Sequence, residues 1–162
     1  MKTLILSISL SVLLAACGGS PESTEGQKKA EPLGDNTATT TENGNPSYDP
    51  NRGEGKFTNV EIGEKLDGAL ATEGENIAGV KCFSCHKTSA EKLVGPGWKE
   101  VTVRRNPVWI MNFITNPDPM IDKDPEVQAQ LELCLVRMPN QGLNDDEARK
   151  ILEFMRKNDG VQ

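Results

Sequence analysis

The sequence predicts an all-α domain on three observations. Apolar residues recur at helical spacing through its last hundred or so residues, convincing strand alternation is missing, and Asn-Pro and Asp-Pro pairs punctuate the pattern. Leu66, Leu70, Ile77 and Val80 lie on compatible faces of a first helix from about Asp67 to Lys81. Asn106-Pro107 supplies an N-cap with proline at the first helical position, opening a short helix through Trp109, Ile110, Phe113 and Ile114 that Asn116-Pro117 stops. Asp124-Pro125 repeats the device, and Val127, Leu131, Cys134 and Leu135 follow it at i, i+4, i+7, i+8 up to Arg137. The last helix starts at Asn144, with Asp145, Asp146 and Glu147 in its positively polarised first turn and Leu143 placed to staple Ala148. Ala148, Ile151, Leu152 and Met155 form its buried stripe, and Asn158 to Gly160 ends it.

Four to five short helices make a thin core in a chain that is 36% apolar and 4% aromatic, so something must supplement it. With 162 residues, a large multi-domain enzyme is excluded. The formal charge of −6 argues against a nucleic-acid partner held through its phosphates. His86 is the one histidine, which removes His-rich zinc sites and most Ser/His triads from consideration.

Residues 1–16 read as a signal peptide, with Lys2 as the positive start, an apolar run from Leu4 to Leu14, and small Ala15 and Ala16 before Cys17. Leu14-Ala15-Ala16-Cys17 resembles the lipobox of bacterial lipoproteins, which implies acylation of Cys17 and a stable anchor on a membrane that the chain does not span. Residues 17–57 then comprise the lipidated cysteine and a flexible tether of Gly, Ser, Thr, Asn, Pro and Glu, with a root-mean-square reach of about 35 Å. Residues 58–162 form the folded domain. Its expected place is the cell envelope, lipid-anchored, on the periplasmic side.

The core supplement is named by Cys82-Phe83-Ser84-Cys85-His86, the C-x-x-C-H arrangement for covalent attachment of one haem c. Two thiols separated by one tight turn can each bond a vinyl-derived carbon of the same porphyrin, and the adjacent imidazole is then delivered to the iron from one face. A redox dithiol would need βαβ patterning, which is missing, and a zinc site a fourth ligand, for which only Cys134 remains, with no second histidine. The iron's sixth position falls to a methionine, to a lysine, or stays open. Met155 and Met111 lie within helices and read as core. Met138 follows a helix end, precedes Pro139, and lies 52 residues beyond His86, in a loop able to reach the second face of the ring. Met120, between prolines in a second extended loop, is the runner-up. Trp98 and Trp109 are candidates to donate an indole N–H to a haem propionate, with core packing as the alternative, and Cys134 reads as a small buried thiol.

Over residues 58–162 these features resemble a class I monohaem cytochrome c. The resemblance runs through Gly74-x-x-Ile77, Cys82-x-x-Cys85-His86, Leu93-Val94-Gly95-Pro96-Gly97 and Arg137-Met138-Pro139-Asn140. It implies a fold in which first and last helices cross at Gly74, a Pro96 carbonyl that orients His86, and Met138 as sixth ligand. Ala78 departs from it, standing where the family usually carries an aromatic ring, a loss for which Phe154 is the expected compensation. The stretch from Trp98 to Glu153 is similar, more narrowly, to small lipoprotein cytochromes encoded beside nitrous oxide reductases.

With both axial positions filled, no site remains for substrate, so the expected function is electron transfer rather than catalysis. The partner would be a respiratory reductase, a terminal oxidase or a quinol-oxidising complex, with nitrous oxide reductase as one acceptor. The alternatives are a five-coordinate haem sensor of gases and a copper or dithiol binding module. Residues 81–105 hold six basic and two acidic side chains in an otherwise acidic chain. Lys81, Lys87, Lys92, Lys99, Arg104 and Arg105 are therefore expected either to ring the exposed haem edge and steer it to an acidic partner, or in part to hold the propionates.

Overall fold

Asp67 opens α1 (Gly68–Lys81) by accepting hydrogen bonds from the amides of Ala69 and Leu70, so the first helix begins where the apolar spacing places it. The computed structural model describes residues 48–162; the expected signal peptide, the lipidated Cys17 and most of the tether lie outside them. The described residues are all-α, without strands. α2 is Val101–Arg104, α3 Pro107–Thr115, α4 Pro117–Lys123, α5 Pro125–Cys134 and α6 Asp145–Asn158. None of these helices is long and apolar enough to cross a membrane.

α6 is closed by the reciprocal cap its sequence announces: Asn144 Oδ1 accepts from the Glu147 amide and Glu147 Oε2 from the Asn144 amide. It crosses α1 at Gly74, where a Cβ would collide with the Lys150 carbonyl. Buried Glu153 locks the same pair together. It accepts from the Asp67 amide at 2.8 Å, from Arg156 at 2.7 Å and from Arg149 at 2.6 Å, while Arg156 also donates to the Gly63 carbonyl at 2.6 Å.

The described residues form six helices, against the expected four to five. α4 follows Asn116-Pro117, which reads as a stop, yet Pro117 and Pro119 occupy the first and third helical positions, where no amide hydrogen has an intrahelical acceptor and proline costs nothing. Met120 is consequently not in an extended loop. α5 ends at Cys134, three residues short of Arg137, because Leu135 takes a left-handed conformation (φ 61°) and turns the chain out. Residues 135–144 are thereby left as the loop that carries Met138.

Residues 48–57, assigned by composition to the tether, are strapped onto α3, α4 and α5. Fully buried Asn112 of α3 holds the strap through its amide: Nδ2 donates to the carbonyls of Arg52 and Phe57, each at 3.0 Å, and Oδ1 accepts from the Phe57 amide at 2.9 Å. Tyr48 donates its hydroxyl to buried Asp124 at 2.5 Å. Gly53 (φ 71°) lies directly on Met120 and Trp109. Polar composition conceals this attachment because hydrogen bonds to one buried amide and one buried carboxylate, rather than apolar side chains, make it.

Candidate functional site

The C-x-x-C-H turn is wound off the end of α1. The amides of Cys82 and Phe83 donate to the Ala78 carbonyl, and those of Cys85 and His86 to the Cys82 carbonyl, all at 2.8–3.0 Å. The following loop folds back on the turn, with the Gly95 amide on the Cys85 carbonyl and the Trp98 amide on the Lys87 carbonyl, both at 2.8 Å. This brings the Pro96 carbonyl to 2.8 Å from His86 Nδ1. A carbonyl only accepts, so Nδ1 carries the proton and Nε2 keeps its lone pair. Gly95 lies against the imidazole at Cε1 and both ring nitrogens, with no room for a side chain, which confines the ring further.

Cys82, Cys85, His86 and Pro96 line a cleft of about 210 Å³ that opens to solvent. Apolar side chains also line it: Phe113 and Ile114 of α3, Ile121 of α4, Val127 and Leu131 of α5, and Ile151 of α6. Met138 and Pro139 line it too. The Met138 loop is pinned by Arg137, which donates to Asp118 at 3.2 Å and Asp122 at 3.1 Å, and by Asn140, which donates to the Thr115 carbonyl at 3.4 Å. Two thiols, an imidazole and a thioether lining one largely apolar cleft form a donor set suited to a large flat apolar ring with an iron centre.

Burial pushes the pKa of the Cys82 thiol up to about 11, with Cys85 adding to the rise and Lys81 opposing it. A redox-active dithiol has the opposite property, a depressed thiol. Burial lowers the His86 pKa, against the opposing pull of the Pro96 carbonyl, so the imidazole is neutral and a ligand at neutral pH.

Several expectations are corrected. Met120 is fully buried in α4 beneath Gly53 and does not line the cleft. Trp109 donates its indole N–H to Asp124 at 2.9 Å and stacks on Phe113 at 5.0 Å, so it is not a propionate donor, whereas Trp98 lines the cleft 5.5 Å from the His86 ring. Cys134 is half-buried on the cleft wall rather than packed in the core. Phe154 meets Phe83 at 5.9 Å and Trp98 at 6.3 Å, placing an aromatic cluster beside the small Ala78. Of the six basic side chains expected around the site, only Lys81 lines it, paired with Glu147 at 3.3 Å. The contribution of Ile121 escaped sequence reasoning because α4 did; its apolar character between two Asx-Pro pairs is the signal for it.

Comparison with known proteins gives a consistent answer. The profile of the family described as cytochrome c matches residues 71–159. Among solved structures, a cytochrome c from Rhodothermus marinus is 36% identical with a TM-score of 0.63, covering 65% of this chain and 90% of that one. An engineered cytochrome c from the same organism is 35% identical with a TM-score of 0.62 and the same coverage. A further structure of the engineered protein, at 35% identity and a TM-score of 0.59, has a carbene intermediate bound. No curated protein sequence matches the chain.

Proposed function

We propose, on the premise that this chain belongs to the cytochrome c family and so binds covalently attached haem c and transfers electrons, that it is a membrane-tethered periplasmic carrier of single electrons to or from a respiratory enzyme. Cys82 and Cys85 form the two thioether bonds, His86 and Met138 are the axial ligands, and the Pro96 carbonyl holds the imidazole in its donating tautomer. The observation that carries this reading is that Met138 faces the same cleft as Cys82, Cys85 and His86. The haem, when bound, supplies a one-electron ferric/ferrous couple. The chain's own part is to close both axial positions, keep water from the buried ring and hold the ligands still between oxidation states. Cys17 carries the lipid, and nitrous oxide reductase is the specific acceptor to be tested.

The visible spectrum of the full-length protein tests the ligation. A far-red band from a methionine–ferric iron bond is expected, lost in Met138→Ala, with slow carbon monoxide binding by the ferrous protein. A band that survives Met138→Ala, or rapid carbon monoxide binding by the unmodified protein, overturns the assignment. Labelled palmitate entering the protein but not Cys17→Ser tests the anchor. Direct electron-transfer assays with nitrous oxide reductase and terminal oxidases test the partner.

A further inference from the structure

The strap at 48–57 and the loop at 135–144 are fastened to the same two helices. On α3, Asn112 bonds the strap at Arg52 and Phe57, and the Thr115 carbonyl accepts from Asn140 of the loop. On α4, Met120 lies under Gly53 and Lys123 pairs with Glu54 at 3.1 Å, while Asp118 and Asp122 take the two bonds from Arg137 of the loop. Asp124, which receives the Tyr48 hydroxyl, is also the cap of α5.

Beyond these helices the strap reaches the start of α6 through Lys56 and Asp145. Among the described residues no hydrogen bond or ion pair joins it to the C-x-x-C-H turn or to the loop from Gly95 to Trp98 that confines His86. α3 and α4 are nine and seven residues long, too short to hold a position by themselves, so what they are bonded to decides where they sit. Asn112 is the telling residue. Its amide is fully buried and all three of its side-chain bonds go to the strap, whose Gly55 backs directly onto it. A buried amide costs stability unless it is bonded, so α3 is built to be met by this segment. The strap precedes residues 71–159, the part of the chain that matches the cytochrome c family.

We infer that residues 48–57, bonded to Asn112 and Asp124 and packed on Met120, are a positioning element for Met138: the strap holds α3 and α4 in the place from which they fasten the Met138 loop, and it leaves the His86 side untouched. This rests on the reading of Met138 as the sixth ligand. Releasing the strap should therefore loosen one axial ligand and not the other, through two short helices that contact both segments.

Imidazole binding to the ferric, haem-loaded, full-length protein tests it. At saturating imidazole the rate is limited by departure of the resident thioether, so it reads the grip on Met138 and not electron transfer. Asn112→Leu, which keeps the volume but drops the bonds to the strap, should raise that limiting rate about tenfold, and Tyr48→Phe about threefold. Amide exchange in α4 and at 135–144 should rise in parallel, while exchange in α1 keeps the parent's value. Glu153→Gln is the control: it weakens the α1–α6 crossing away from the strap, and its limiting rate should stay within about twofold of the parent's. Strap variants that bind imidazole at the parent's rate, or a Glu153→Gln protein accelerated as much as Asn112→Leu, overturn the positioning role. Should Asn112→Leu fail to fold, Tyr48→Phe and Glu54→Gln decide, and parental rates in both overturn it. A parent without the far-red band overturns the Met138 ligation and the strap's role with it. A parent that has the band, with strap variants unchanged, overturns the strap alone.

Discussion

Gly74 of α1 rests directly on the carbonyl of Lys150 in α6, with no space between the two backbones for a side chain. The helices that frame the C-x-x-C-H turn therefore meet at their closest possible approach. Gly74→Ala must push them apart, and it is expected to lower the unfolding free energy by about 3 kcal/mol, at the upper end of overpacking effects, in denaturant titrations of the haem-loaded protein. A midpoint equal to the parent's would mean the crossing can yield without cost.

Glu153 sits under the same crossing. Burial would raise its pKa, but the Asp67 amide, Arg149 and Arg156 outweigh that and hold it below the ordinary carboxylate value. A depressed pKa contributes stability that is complete above the unfolded value of about 4.3 and is lost as pH falls through the folded one. Stability should accordingly be flat down to about pH 5 and then decline. Glu153→Gln should be less stable at pH 7 by about 3 kcal/mol, since it leaves Arg156 buried without its carboxylate, and should show a shallower acid decline. An acid limb identical in both proteins would remove Glu153 from this role.

Met120 and Met138 separate core packing from the proposed ligand role. Met120→Ala is expected to keep the far-red band yet lose about 3 kcal/mol of stability, because it leaves a cavity under Gly53 and Trp109. Met138→Ala should do the reverse, losing the band while its half-exposed side chain costs little packing. Finding the band absent in Met120→Ala would exchange the two assignments.

Tyr48→Phe removes the hydroxyl that reaches Asp124 and leaves that carboxylate its bonds from Trp109, Glu126 and Val127. The global loss should be about 1 kcal/mol. Amide exchange at Gly53 and Phe57 should rise more than exchange in α6, because the lost bond fastens the strap and not α6. Uniform acceleration across the protein would show that the strap does not open separately.

Much of this was legible in order along the chain. The caps at Asn106, Asp124 and Asn144 were readable because each acts on amides two or three residues away. The attachment turn was readable because five consecutive residues contain it. α4 was not, since a proline that ends one helix and a proline that begins the next look alike until the chain direction between them is known. The strap was hidden for a different reason: Asn112 and Asp124 hold segments 55 and 76 residues away, and nothing local marks a buried polar side chain as such.

The sequence by itself determined the helical class, the starts of α1, α3, α5 and α6 and the C-x-x-C-H turn, because those depend on neighbours within a few positions. Only the tertiary structure decided which methionine lines the cleft, which tryptophan has its N–H engaged by a carboxylate, and which three of six cations have no carboxylate partner among the described residues. Those outcomes follow from contacts across tens of residues, where packing and charge pairing are settled by proximity in space.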